Sequence, residues 1–275
     1  MNRLSDCQII RPVFRFSWLV FLLVSVISCT VVPDSGRQQL NIYNSPEKQA
    51  QLARMGFDQF KKLKETKKLS TNASYNAQIQ RVGKQLSRVM PVPNAQWEFV
   101  VFADPVPNAF ALPGGKIGVN SGMFQISRTD AGLAAIIGHE VAHLVANHAG
   151  ERLTGNLATA IAGAAAFGII DHNTNMSTGG RVATASAIGA AGTLHTLRFS
   201  REQELEADRL GALYMARVGY DPRESVKLWK RFANYQQQKG SSWKPEFLRT
   251  HPLGATRISA LENFLPRALA EYSNR

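Results

Sequence analysis

His139, Glu140 and His143 stand close together in the stretch IIGHEVAHLVANH, Ile136 to His148. On a helix, residues four apart are separated by about 40 degrees around the axis, so the two histidines project from one face at a spacing one Zn2+ can bridge. Glu140 lies next to that face, near enough to reach a water at the metal without ligating the metal itself. Such a set suits hydrolysis. Zinc polarises a carbonyl and lowers the pKa of water toward about 7, and the carboxylate accepts a proton and passes it to a leaving amine. Two core histidines satisfied by hydrogen bonds would show the same spacing, so a third ligand must decide between a site and a core.

The metzincin form of the motif needs a glycine and a histidine where this chain has Ala146 and Ala149, and His148 is out of phase. A carboxylate farther along is the alternative. The segment ELEAD, Glu204 to Asp208, supplies one 61 residues after His143 and would complete a His2Glu set with an open fourth position. Glu202 and Glu206 lie about 200 degrees around the helix from Glu204, so these carboxylates cannot all face one metal. Asp208 favours Glu204, because it sits four residues on along the same stripe and could accept the outer N–H of a ligand histidine. Read alone, the segment is a solvated acidic helix face; beside His139 and His143 it becomes a candidate ligand. His148, His172 and His195 have no motif partner and read as ordinary surface or core residues.

The elements that must position these groups follow from local pattern. Residues 46–90 read as two amphipathic helices, with Ser45-Pro46-Glu47 as a start signal and Pro91 as a stop. WEFVVFAD, Trp97 to Asp104, is aromatic and β-branched and reads as a strand. NAFALPGGKIGVNSGMF, Asn108 to Phe124, reads as two short strands around Pro113-Gly114-Gly115. The helix carrying His139 starts near Ser127 to Asp130 and is expected to run toward Arg152. Residues 155–193, dominated by Gly, Ala, Thr and Ser, suggest two short packed helices or a mobile lid around the polar loop Asp171 to Gly180. Ser200 to Gly219 forms the helix of Glu204, another starts at Asp221-Pro222, and the last follows THPLGATRIS, Thr250 to Ser259. The expectation is an α+β chain, mainly helical, with a small antiparallel sheet.

At 275 residues the chain can bury a substantial core, and Lys+Arg 32 against Asp+Glu 20 gives a formal charge of +12. Its amino terminus accounts for location. Arg3, Arg11 and Arg15 precede the apolar run Ser17 to Ser28, too short for a comfortable membrane span and suited to a signal-peptide core. The end of that run, VISC, Val26 to Cys29, resembles a bacterial lipobox, which implies cleavage before Cys29, its acylation and, with Thr30 next, sorting to the outer membrane. Residues 1–28 are then a lipoprotein signal peptide, 29–45 a polar tether and 46–275 the folded domain. Without the leader the charge is about +10, with one cluster at Lys61 to Lys68. Nucleic acid is a poor partner for an exported protein, and anionic lipid headgroups are a better one.

Four blocks in order, NAFALPGGKIGVNSG, GHEVAH, SREQELEAD and HPLGATRI, resemble a known family: the zinc metalloendopeptidases that include HtpX, the Oma-type mitochondrial protease and the CAAX prenyl protease. The chain is nearest the BepA-like and LoiP-like periplasmic members, since no span of membrane length follows its leader. The resemblance implies a zincin-like, gluzincin-type domain with one Zn2+ on His139, His143 and Glu204. It implies Glu140 as the catalytic base, with Asp208 and Arg257 supporting the ligands. It places the edge strand Asn108, Ala109, Phe110 and Ala111 beside the cleft, where an extended peptide could add through backbone hydrogen bonds; by itself that segment is a plain hairpin. His251 is implied either as a fourth zinc ligand that holds the enzyme latent or, when displaced, as a stabiliser of the oxyanion. The expected substrates are unfolded or misassembled envelope polypeptides, and the rival role is a chaperone-like outer-membrane assembly factor that rarely cleaves.

Overall fold

The computed structural model describes residues 29–173, 177, 200–240 and 245–274. The expected signal peptide, His195 and the second half of the Gly/Ala-rich segment lie outside the described residues. The described residues begin with a hairpin of β1 (Cys29–Val31) and β2 (Gln38–Leu40), followed by helices α1 (Pro46–Thr66) and α2 (Ala73–Leu86). A three-stranded sheet follows, from β3 (Glu98–Phe102), β4 (Ala109–Leu112) and β5 (Lys116–Asn120). A 3-10 turn leads to α3 (Phe124–Ser127), α4 (Asp130–Val145) and α5 (His148–Asn173). The carboxy-terminal part is helical: α6 (Arg201–Arg217), α7 (Arg223–Lys239), α8 (Glu246–Thr250) and α9 (Ala255–Ser273).

Local chemistry sets these boundaries. Ser45, Asn72 and Thr129 each turn a side-chain oxygen onto an N–H of the first helical turn, starting α1, α2 and α4. Ser200 and Gln203 form a reciprocal capping box at the start of α6. The mainly helical α+β class is as expected, but the sheet is mixed. β5 lies in the middle, antiparallel to β4 and parallel to β3. The connection of residues 103–108 holds Pro105 and Pro107 and is too long for a tight hairpin, so it passes over one strand width and leaves a slot that β5 fills. All five residues of β5 are buried, and β4 is left as an edge strand against α4.

Two expectations about continuity are corrected. The segment 29–45 is not a free tether, because β1 and β2 pair antiparallel around a turn in which Asp34 and Gly36 take positive φ. Side chains of that turn bond far across the chain: Asp34 accepts from Arg217 at 2.8 Å and from the Tyr214 hydroxyl at 3.3 Å. The helix bearing His139 also does not run through to Arg152. It stops at Val145, Asn147 takes the left-handed region at φ 47°, and α5 starts afresh at His148 as one 26-residue helix. Among the described residues, no helix is long and apolar enough to cross a membrane.

The core is continuous from α2 and the sheet through α4 to α6, α7 and α9. At its centre α4 and α6 cross at Gly138 and Gly211, where a Cβ on Gly211 would stand 2.8 Å from the backbone nitrogen of His139. Two glycines at the crossing let the backbones touch, so that side chains one turn away can meet.

Candidate metal centre

α4 is buried all round from Gly132 to His143, so the three polar side chains of that stretch face protein and not water. His139 and His143 point at α6, from which Glu204 reaches back, and His251, at the end of α8, closes the set from the other side. These four offer ligand atoms that all lie within 4.8 Å of one another, and each residue is no more than 5 % exposed. His139 Nε2 is 3.3 Å from both His143 Nε2 and His251 Nδ1, and 3.6 Å from Glu204 Oε2. His143 Nε2 is 3.5 Å from Glu204 Oε1.

These spacings test whether a zinc ion fits. Four N and O ligands in a tetrahedron at about 2.0–2.2 Å from zinc stand about 3.3–3.6 Å from each other. Four of the measured separations fall in that range; the His251 Nδ1 to Glu204 Oε1 contact, at 2.9 Å, is tighter. One imidazole nitrogen has a single proton or a single lone pair, so His139 Nε2 cannot satisfy two ring nitrogens and a carboxylate by hydrogen bonds alone. A shared cation satisfies all of them.

For His143 and Glu204 the electrostatics agree with that use. Burial holds His143 well below the usual imidazole range, with His148 and His139 adding to the effect, so it is a neutral, ligand-competent ring. Burial raises the Glu140 carboxyl, only partly countered by His251 and His139. Glu140 Oε1 is buried with no hydrogen-bond partner among the described residues and stands 3.5 Å from His251 Nε2. A carboxylate with raised basicity and an oxygen that makes no hydrogen bond among the described residues is suited to accept a proton there. Burial pushes Glu204 up, but the hydrogen bond from His251 and the charge of Arg257 outweigh it and keep the group ionised.

Asp208 and Arg257 form the support on the α6 side. Asp208 Oδ1 is 3.0 Å from His139 Nδ1, and Arg257 donates to both Asp208 oxygens at 2.8 Å. Burial acts against the Asp208 charge, yet Arg257 and His139 hold its carboxyl far below the usual range. Arg257 also reaches Glu204 Oε2 at 2.6 Å, joining the Glu204 and Asp208 carboxylates through one guanidinium. Trp229 of α7, not singled out from the sequence, completes this side. Its Nε1 donates to Asp208 at 3.1 Å, and its ring lies 4.0 Å under the Arg257 guanidinium.

His148 overturns its reading as a residue without a site partner. The break at Asn147 resets the helical phase and turns His148 back, burying it with Nδ1 2.8 Å from His143 Nδ1. Its Nε2 stands 2.9 Å from Glu206 Oε2. Glu206 points away from the four ligand atoms, as its angle on α6 requires, and accepts from Arg37 Nε at 2.8 Å and from the Ser35 hydroxyl. Arg37 in turn pairs with Glu151 at 2.6 Å. The signal for His148 was its nearness to the ligands in sequence, and only the helix break makes it usable. Of the edge-strand residues, Ala109 is buried, while Asn108, Phe110 and Ala111 are half-buried; no described strand pairs with the outer edge of β4. A narrow crevice lined by Leu52, Val92, Pro113, Gly114 and Asn147 reaches His143.

Comparison with known proteins gives this geometry a lineage. Residues 73–265 match the sequence profile of peptidase family M48. The chain is 34 % identical over 190 residues to the mitochondrial metalloendopeptidase OMA1 of Schizosaccharomyces pombe, covering 69 % of this chain and 53 % of that protein. It is 36 % identical over 183 residues to OMA1 of Saccharomyces cerevisiae, covering 64 % and 49 %. To the beta-barrel assembly-enhancing protease of Escherichia coli K12 it is 29 % identical over 167 residues, covering 60 % and 33 %. The matched region is about half of each OMA1 protein and a third of the E. coli one. It holds all four converging residues together with Glu140, Asp208 and Arg257, and on this match the chain belongs to peptidase family M48.

Proposed function

We propose that the chain is a zinc metalloendopeptidase, with the ion held by His139, His143 and Glu204 and with Glu140 as the base. The convergence of these buried ligand atoms beside a carboxylate oxygen that makes no hydrogen bond among the described residues carries the reading. When bound, zinc supplies Lewis acidity to a peptide carbonyl and acidity to a water. The chain's own residues do the rest. Glu140 accepts the water proton and delivers it to the departing amine, and the closely packed walls of the site hold other water away. Asp208, fixed by Arg257 and Trp229, holds the Nδ1 proton of His139, which keeps the Nε2 lone pair aimed at the centre.

His251 offers a fourth ligand atom beside the other three and would close the position that a substrate carbonyl needs to enter. This arrangement supports a latent enzyme whose loop, Pro252 to Gly254, must move before a peptide binds along the free edge of β4 at Asn108, Ala109, Phe110 and Ala111. The closed site also favours a second reading, a chaperone-like assembly factor that keeps zinc and rarely cleaves. For location, the lipobox-like leader supports a lipoprotein acylated at Cys29 and anchored in outer-membrane lipid, facing the periplasm. Unfolded or misassembled envelope polypeptides are then the substrates. The relatives' names point two ways on compartment, mitochondrial for OMA1 and β-barrel assembly for the E. coli protein.

Cleavage of an unfolded test substrate by wild type and by Glu140→Gln, at equal zinc content, tests the enzyme reading. A fall of about 100-fold or more in the variant is expected for loss of the base. Zinc-loaded wild type that cleaves no faster than Glu140→Gln would favour the assembly factor.

A further inference from the structure

The two histidines of α4 are supported in different ways. His139 Nδ1 meets a carboxylate directly, whereas His143 Nδ1 meets a second imidazole, His148, which meets the carboxylate Glu206. Neither the zinc reading nor the family motif uses His148, Glu206 or the amino-terminal hairpin. Even so, all of these residues are joined in one hydrogen-bonded line that ends on a candidate ligand.

The proton positions along the line follow from its far end. Glu206 Oε2 also accepts from Arg37 Nε at 2.8 Å, and Oε1 accepts from the Ser35 hydroxyl, so the carboxylate is purely an acceptor. His148 Nε2, 2.9 Å away, must therefore carry its proton. In a neutral ring this leaves the Nδ1 of His148 bare, and a bare nitrogen 2.8 Å from His143 Nδ1 requires the proton to sit on His143. With its proton on Nδ1, His143 presents the Nε2 lone pair to the centre. The opposite assignment would place the proton on His143 Nε2, facing His139 at 3.3 Å, and would remove it as a ligand.

We propose that His148 is a positioning residue that locks His143 in its ligand tautomer, and that the hairpin anchors it by fixing Glu206 through Ser35 and Arg37. The line is enclosed, since His148 and Glu206 are buried and Arg37 is clamped a second time by Glu151, itself held by Gln203 at 2.8 Å. The segment next to Cys29 thus forms part of the support of the metal centre. This inference rests on the zinc reading above.

Two measurements test it. The first needs no variant: long-range 15N–1H correlation of zinc-loaded wild type should show His143 protonated at Nδ1, and His148 protonated at Nε2 and bare at Nδ1. The second is zinc affinity by competition with a chromophoric chelator. His148→Leu, which fills the space without hydrogen bonds, should bind zinc about 10–100-fold more weakly. His148→Gln can still accept from His143 and donate to Glu206, and should recover affinity to within about threefold of wild type. A bare His143 Nδ1, or a folded His148→Leu with unchanged zinc affinity, would overturn the relay. If His148→Leu does not fold, the tautomers of wild type decide the matter alone. Wild type that holds no zinc would instead overturn the functional reading, so the two failures are distinguishable.

Discussion

At the scale of residues, the site is a set of polar groups that burial would penalise heavily were they not joined. Nearly every charge has an opposite partner in contact, and His251 meets both Glu204 and Glu140. Removing His251 should open the fourth position. If the open form makes up about one tenth of the wild-type population, His251→Ala raises the cleavage rate of an unfolded substrate about tenfold. A loss of rate in that variant would instead assign the ring to the oxyanion. Spacing made most of this centre legible. His139 with His143 and Glu204 with Asp208 are i, i+4 pairs on helices that the sequence marks clearly, and one stripe of each faces the other. Trp229 was not legible, because an indole on an amphipathic helix looks like any core residue until Asp208 is placed beside its Nε1.

At the scale of elements, what matters is how closely α4 and α6 approach. Gly138 and Gly211 stack at the crossing, and the added Cβ of Gly211→Ala would press on the backbone of His139, which cannot move aside as a side chain can. Alanine gains up to about 1 kcal/mol of helix propensity over glycine, while overpacking costs about 1–3 kcal/mol. A net loss of about 1 kcal/mol in urea unfolding, together with weaker zinc binding, is expected from these two opposing effects. Greater stability at unchanged zinc affinity would contradict the close-contact argument. Helix starts at Ser45, near Thr129 and at Ser200 were readable at this scale because these residues carry their capping chemistry with them, whereas the cap at Asn72 was not singled out. The end of α4 was not: LVANH continues the helical pattern, and a left-handed asparagine carries a weaker signal than glycine. The parallel pairing of β3 with β5 was hidden too, since it depends on the path of a connection and not on either strand's composition.

At the scale of the whole molecule, the amino-terminal hairpin belongs to the fold. Its polar composition reads as a tether, but its strand pairing and its contacts with residues more than a hundred positions away show otherwise: Arg37 with Glu151 and Glu206, and Asp34 with Arg217. One consequence is a dependence on acid. Burial raises the Glu206 carboxyl, but the hydrogen bonds from His148, Ser35 and Arg37 outweigh it and lower the group to about 2. The unfolded chain titrates this residue near about 4.3, so its contribution is complete above that pH and is lost as pH falls toward about 2. About 3 kcal/mol is at stake, since each tenfold change in proton affinity is worth about 1.4 kcal/mol. Urea unfolding of zinc-free protein should therefore show wild type losing more stability than Glu206→Gln between about pH 5 and pH 3. Parallel losses would mean that the hairpin contacts do not contribute to stability.

The central claim is that one zinc ion is held by His139, His143 and Glu204, with His251 closing the fourth position. X-ray absorption at the zinc edge of the resting protein tests it most directly. The predicted result is one zinc per chain, with three imidazole nitrogens and one carboxylate oxygen at about 2.0–2.2 Å, and one imidazole fewer in His251→Ala. Protein purified without zinc, or a resting centre with only two imidazoles, would contradict it.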